Sequence, residues 1–556
     1  MSSNQEESVQ QNQINLDDTL GDSSSSTVRD AGAVYAICTF ALIFAFVGFP
    51  LWWKTTEVFR VPLPYQKMDS LPMQKVTHLI GVTVVLVDNS VEKSSLWEQL
   101  TLFNLKSSDQ LEFKYHFNLR EPFPEERRAI VESSNLIDLD RRLHELGLMK
   151  KIGSLWMYIL PTNMFDLKQP TVGSHRAAYL HSPSSAVSLS VELMRVVSNM
   201  VEEKTLRKLF LPTSMSLKQP DKDTMRSTSA YTGLDVIFTL LSSQPEVYDI
   251  RWDIERAVEE YLKPFLEFIS LIVNVDVKSQ ILFMTPLNLQ PKFLNETEHI
   301  VSVDQLSLAF NPVESKLGSH SSLNPTLNFV TYVPPKEVFP LQIYTEKGER
   351  LTTNSFLSAR WGGFYVYNIP PPTEGSALPS TVYLDVKQVM KVFLSQLKAL
   401  IGIHHCGDTD CSGLFFIQNY TCTDWELDFL MRRQAQEQLA KALGSLHSLA
   451  HLLETISNIV ITNVVGDKIY LAIDSLEKGI ELLKTGNLEE AFGFIKRAFV
   501  SSEEAFYHPS LLALLYFPDD QKYAVYIPLF LPVSIPVILS LPHLWRFLQV
   551  KTKKKH

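Results

Sequence analysis

The stretch Ala31–Trp53, AGAVYAICTFALIFAFVGFPLWW, contains no charged side chain. At 1.5 Å rise per residue a helix of that length crosses a hydrocarbon core about 30 Å thick, and Trp52 and Trp53 close it where an interfacial aromatic belt belongs. A cleaved leader is the competing reading. The segment, however, follows a long polar tail, lacks a basic n-region and has no A-x-A site, so a retained signal-anchor is expected. A second stretch, Tyr523–Trp545 (YAVYIPLFLPVSIPVILSLPHLW), is equally free of Asp, Glu, Lys and Arg. Its Pro528, Pro532 and Pro536 share one helical face. In water such a helix would fail, whereas in a membrane neighbouring helices re-satisfy the freed carbonyls, so these prolines point to contact with other spans.

Orientation follows from the flanks. Arg546, Lys551, Lys553, Lys554 and Lys555 follow the second span with no acid among them, which places the tail in the cytosol. Two spans return both termini to one side and put everything between them on the other. The terminal Lys553 and Lys554 resemble a dilysine signal for retrieval to the endoplasmic reticulum; a charged membrane anchor is the plainer alternative. An extracytoplasmic domain makes Asn295 (in Asn295-Glu296-Thr297) and Asn419 (in Asn419-Tyr420-Thr421) candidate N-glycosylation sites, while Pro325 excludes Asn324. Of the 4 cysteines, Cys38 lies in the first span. Cys411 and Cys422 are the candidate disulfide, with Cys406 left as a free thiol or paired with another chain, and the pairing among these three stays open.

The chain is 556 residues long, enough for two or three compact units. A formal net charge of -10, with the basic residues clustered only at the C-terminus, argues against nucleic acid as a partner. Val76–Val87 (VTHLIGVTVVLV) reads as a buried strand, as do Leu155–Leu160, Gln280–Met284, Leu327–Val333 and Phe364–Asn368. Amphipathic helices are expected near Ala186–Leu209 and Ile254–Ile269, the second N-capped by Asp253 and bent or split by Pro264. Strands alternating with helices indicate a mixed α/β domain. From Trp425 the period becomes helical, with Leu439, Leu443, Leu446, Ala450 and Leu453, then Ile469 to Leu483, then Leu488 to Phe499 after a Gly486-Asn487 turn.

The expected organisation is therefore a disordered cytosolic tail (1–30), a transmembrane helix (31–53), a lumenal mixed α/β domain (54–424) and a lumenal amphipathic helical segment (425–522). A proline-containing transmembrane helix (523–545) and a basic cytosolic tail (546–556) complete it.

Enzyme signatures fail one by one. The sequence holds no H-E-x-x-H, G-x-S-x-G, Walker loop or G-x-G-x-x-G. His144-Glu145 begins a metallopeptidase pattern, but Leu148 stands where its second histidine would be. His404, His405, Cys406 and Cys411 offer soft ligands without the second pair that structural zinc needs. Asp138-Leu139-Asp140 and Asp408-Thr409-Asp410 have the D-x-D form of metal-dependent glycosyltransferases, yet Arg141 and Arg142 make the first a solvated charged helix. No catalytic, cofactor-binding or metal residue is expected.

Five stretches resemble the PIG-S family of GPI transamidase subunits: PLWWKTTEVFRVPLPY (50–65), YDIRWDIERAVEEYLKPFL (248–266), NPVESKLGS (311–319), RWGGFYVYN (360–368) and HPSLLALLYFPDDQKYAVYIPLFLP (508–532). They occur in order over most of the chain, and the last, running into the second span, is the most specific. The resemblance implies a non-catalytic subunit of an endoplasmic-reticulum membrane complex in which a separate cysteine-protease-like subunit replaces a C-terminal signal with a GPI lipid. Other transamidase subunits are the implied partners, with the GPI lipid and the precursor protein as further candidates. The second-span prolines and the RWGGFYVYN strand are the expected contacts. The alternative is a stand-alone lumenal glycosyltransferase using a D-x-D site.

Overall fold

The computed structural model describes residues 35–87, 92–103, 111–165, 167–182, 185–208, 231–285, 291–294, 298–303, 324–345, 347–359, 361–373, 377–403, 414–417, 422–456 and 459–513, with isolated positions at 32, 287, 305, 306 and 375 and between 524 and 545. Asn295, Asn419, Cys406, Cys411, His404, His405, Asp408, Asp410, Lys553 and Lys554 lie outside the described residues, as do 1–30 and the stretch 311–319.

The chain divides into two compact units, one of residues 1–63, 451–467 and 506–556, the other of 64–450 and 468–505. In the first, helix α1 (Tyr35–Lys54) is long and apolar enough to cross a membrane. The Trp52 ring meets Tyr526 and Phe530 nearly edge-on, with centroids 5.9 and 5.5 Å apart. The described positions between 524 and 545 are helical. Arg60 bridges to Ile461 and donates to the Leu453 carbonyl.

Among the described residues the second unit holds four sheets, of which the two largest repeat one strand order. In the first half, β1 (Val76–Leu86) is followed by α2 (Lys93–Leu102) and β2 (Leu111–Arg120). Next come α3 (Pro124–Glu132), α4 (Leu136–Glu145), β3 (Leu155–Leu160), a hairpin of β4 (Thr171–Val172) and β5 (Ala177–His181), and α5 (Ala186–Val201). β2, β1, β3 and β5 lie side by side and parallel, with β4 antiparallel on β5. In the second half, β6 (Gly233–Ser242) is followed by β7 (Tyr248–Arg251), a broken helix α6 (Ile254–Ile269), β8 (Asn274–Phe283), β9 (Lys292–Leu294), β10 (Glu298–Ser302) and β11 (Thr326–Val333). β12 (Leu341–Tyr344), β13 (Ser355–Ser358), β14 (Gly362–Val366), β15 (Ser380–Tyr383) and α7 (Val386–Ile401) complete it. Here β8, β6, β11 and β14 are parallel neighbours, and β13 is antiparallel on β14. Both halves thus run second, first, third, fourth strand, with an antiparallel strand on the fourth and a helix after it. β16 (Phe415–Phe416) then extends the first sheet at β4.

Local chemistry explains these elements. β3 and β6 are buried along their whole length, as parallel strands covered on both faces must be. α6 is α-helical at Ile254–Ala257, opens into a π turn at Val258–Leu262 and resumes at Lys263–Ile269. Pro264 cannot donate to the preceding turn, and the wider turn absorbs the break. Its N-cap is Asp253, which accepts from the Arg256 amide. β14 lies close to its neighbours because two glycines begin it: a Cβ on Gly362 would lie 1.8 Å from the Asn328 oxygen, and one on Gly363 would lie 1.9 Å from Gln396 Oε1. The RWGGFYVYN strand is therefore interior, buried from Gly362 to Val366 between β13 and β11, and is not the exposed partner contact its motif suggested.

Helices α8 (Asp424–Thr455), α9 (Asn463–Thr485) and α10 (Leu488–Phe506) complete the described chain, with a short turn of helix at Pro509–Ala513. α9 and α10 form a hairpin on Gly486, whose φ of 79° is open to glycine at little cost. The Asn487 amide donates back to the Leu482 carbonyl.

Candidate functional site

α8 begins in the interior. Along one of its faces, Asp424, Asp428, Arg432 and Gln436 recur every fourth residue, so all four point the same way. Asp428, Arg432 and Gln436 are buried and Asp424 nearly so. An isolated charge there would cost several kcal/mol, so each must find a partner.

The partners sit at the N-terminal ends of the first sheet's strands. Ligands of open α/β sheets usually lie at the opposite, carboxyl ends. Arg176, just before β5, donates Nε and Nη2 to the two oxygens of Asp428, each at 2.8 Å. Gly153, just before β3, is clasped by its peptide: its N–H donates to Asp428 Oδ2 at 2.9 Å and its carbonyl accepts from Arg432 at 2.7 Å. His78 on β1 stacks on Phe113 and lies 3.3 Å from the Gln436 amide nitrogen. Burial, then the Arg432 charge, push its pKa down to about 3. A cavity of about 10 Å³, room for roughly one water, is lined here by His78, Leu79, Gly153, Arg432, Gly486 and Leu488, among others.

Past this face the helix reaches the second half. Arg433 donates to the carbonyl of Gly402, which ends α7, and Gln438 donates to that of Tyr231, just before β6. Glu202, the left-handed cap of α5, occupies the place in the first half that Gly402 has in the second. Burial raises its carboxyl to about 7 against the opposing pull of Thr205 and Arg433. One helix therefore answers polar groups of both halves.

At its first turn, α8 closes a cluster of titratable groups. Thr423 donates its N–H and hydroxyl to Glu426, and the Trp425 indole donates to the Gly173 carbonyl. Asp424 Oδ2 lies 3.0 Å from His175 Nδ1 and 3.9 Å from His144 Nδ1. The two imidazoles stack at 3.6 Å, tilted by 13°. Asp140 accepts from the Tyr179 hydroxyl and from the Ser174 and His175 amides, fixing the loop that carries His175. Burial raises the Asp140 carboxyl. Burial also pushes Asp424 up, but the His175 bond and the Arg176 charge outweigh it and hold Asp424 below the usual carboxylate range. His175 is raised, because Asp424 and Asp140 overcome its burial. His144 is lowered by burial and by His175.

The D-x-D pair of α4 does not act as one. Asp138 caps the helix's own cations, 2.6 Å from Arg141 and 3.0 Å from Arg142. Asp140, two positions on, turns inward to Tyr179. Cys422 is buried, with Sγ 3.7 Å from the Thr423 carbonyl, and burial pushes its thiol well up. Sequence reading met His144 only as half of a failed motif. Asp424, 249 residues beyond His175, could be joined to the histidines only by the fold.

Fold and seam together define a duplicated α/β protein whose buried charges bind its own elements to one another, on a chain with an N-terminal helix able to cross a membrane. The chain belongs to the PIG-S family: it matches the family described as "Phosphatidylinositol-glycan biosynthesis class S protein" over residues 39–551. It is 36% identical to the "GPI-anchor transamidase component PIGS" of Homo sapiens over 519 residues, 90% of this chain and 93% of that protein. The Bos taurus protein of the same name matches equally. The "GPI transamidase component GPI17" of Saccharomyces cerevisiae is 23% identical over 535 residues, 93% of this chain and 92% of that protein.

Proposed function

We infer that this protein is a non-catalytic subunit of the endoplasmic-reticulum GPI transamidase complex, supporting assembly and substrate handling while another, cysteine-protease-like subunit exchanges the C-terminal signal of a precursor for a GPI anchor. The observation that carries it is the family match from residue 39 to 551, with relatives named as transamidase components. The non-catalytic part rests on those names, which are of transamidase components.

In this reading the chain crosses the membrane twice, at 31–53 and 523–545, with both termini cytosolic and residues between the spans lumenal. Trp52 against Tyr526 and Phe530 supports a pairing of the spans. Asn295 and Asn419 are the proposed glycan acceptors, Cys411 and Cys422 the proposed disulfide, and Lys553 with Lys554 the proposed retrieval signal. The test is surface display of a GPI-linked reporter in cells lacking this chain. Display is lost and restored by re-expression if the reading holds; undiminished display in the null cells contradicts it.

A further inference from the structure

We propose that His144, His175 and Asp424 form a zinc-binding site. The three come from separate elements: the end of α4, the loop before β5 and the first turn of α8. Their ligand atoms all lie within 4.8 Å of one another. Tetrahedral zinc with bonds of about 2.0–2.1 Å to imidazole and carboxylate sets its ligand atoms about 3.3 Å apart. The 3.0 and 3.9 Å from Asp424 Oδ2 to the two Nδ1 atoms bracket that edge, the shorter being a hydrogen bond whose proton the ion would displace to solvent.

A second observation points to a ligand. His144 Nδ1 is buried from solvent and makes no hydrogen bond, although the imidazole as a whole is 42% exposed. A buried ring nitrogen without a partner costs free energy that a bound cation would recover. A tilt of the His144 ring out of its stack on His175 aims its lone pair at the ion, while the Asp140 bond to the His175 amide holds that residue's backbone. The charges also favour a cation. Asp424 and Asp140 act on both imidazoles against Arg176, whose guanidinium, 3.6 Å from Asp424, is already engaged bidentately by Asp428. Two imidazoles and one carboxylate select zinc over magnesium or calcium, which prefer all-oxygen shells. Three protein ligands leave a fourth position for water. The bound ion would tie α4, the β4–β5 hairpin and α8 together at one point.

The test uses the full chain purified in detergent, stripped with a chelator, then offered ZnCl2 or MgCl2 and dialysed. Metal content by mass spectrometry is read beside the thermal midpoint. Wild type should retain zinc at one ion per site and shift upward with ZnCl2 but not MgCl2. His144→Ala, at a half-exposed side chain, should lose that ion and the shift. The cobalt-loaded wild type should show no thiolate charge-transfer band, which separates this site from any cysteine ligand. Zinc content unchanged in a His144→Ala/His175→Ala double variant, a thiolate band, or a wild type that retains no zinc overturns the proposal.

Discussion

Arg176 and Asp428 meet as a fork on a fork, with Nε and Nη2 each 2.8 Å from one carboxylate oxygen, and both side chains are almost wholly buried. The pair joins the loop before β5 to α8. Through Gly153, the same carboxylate also holds the entry to β3.

Removing one partner should be worse than removing both. Asp428→Leu leaves Arg176 charged and buried without its bidentate partner, with Asp424 3.6 Å away, and strips the Gly153 N–H of its acceptor; it is expected to destabilise the protein by about 3–5 kcal/mol. Replacing both, as Arg176→Met with Asp428→Leu, should recover most of that loss. Denaturant titration of the wild type, Arg176→Met, Asp428→Leu and the double variant closes the cycle. Additive losses would mean that the pair is not the unit described here.

His78 makes stability depend on pH. Its folded pKa is pushed down to about 3, below the unfolded value of about 6.5, so under that value the unfolded chain binds the extra proton. Stability should fall as pH drops from about 6.5 towards 3, by up to about 1.4 kcal/mol per unit from this group. His78→Leu should flatten the slope in that window. Equal slopes for the two proteins would remove His78 from the account.

Two glycines give opposite expectations. Gly402 has a φ of 99°, and a Cβ there would lie 1.6 Å from Arg433 Nη1, so Gly402→Ala should destabilise by at least about 1–3 kcal/mol. Gly444 lies within α8 with nothing within 4 Å of a Cβ, and Gly444→Ala should stabilise by about 0.5–1 kcal/mol. Thermal midpoints of the two variants should move in opposite directions.

Glycan mapping checks the proposed orientation. With residues between the spans in the lumen, Asn295→Gln and Asn419→Gln should each remove one endoglycosidase-sensitive mobility step, and the double variant should migrate as the deglycosylated wild type does. A wild type insensitive to the glycosidase counts against a lumenal domain.

Where apolar pattern and structure coincide, the sequence was readable. Val76–Leu86 and Leu155–Leu160 are strands because β-branched and apolar runs of that length have little else to be, and Pro264 breaks its helix as its chemistry requires. β2 escaped notice, since Lys114, His116 and Asn118 on its exposed face dilute the run. β6 did too, with Asp235 near its start bonded to Lys278 and Asn324. The duplication is a property of strand order, and insertions such as β7 and the β9–β10–β12 sheet hide any sequence period. The first turns of α8 carry no motif that marks them as interior. Only their long-range partners show that Asp424, Asp428, Arg432 and Gln436 face inward. The RWGGFYVYN motif was legible as a family mark, but its glycines serve the packing of β14.

The central claim is membership of a multi-subunit transamidase. Its most direct test is to purify the tagged full-length chain from membranes in mild detergent and determine what accompanies it, in what ratio. The account predicts a stoichiometric membrane complex containing a cysteine-protease-like subunit and able to process GPI precursors. A chain that purifies alone as a monomer, with normal GPI attachment continuing in the membranes it leaves behind, would contradict it.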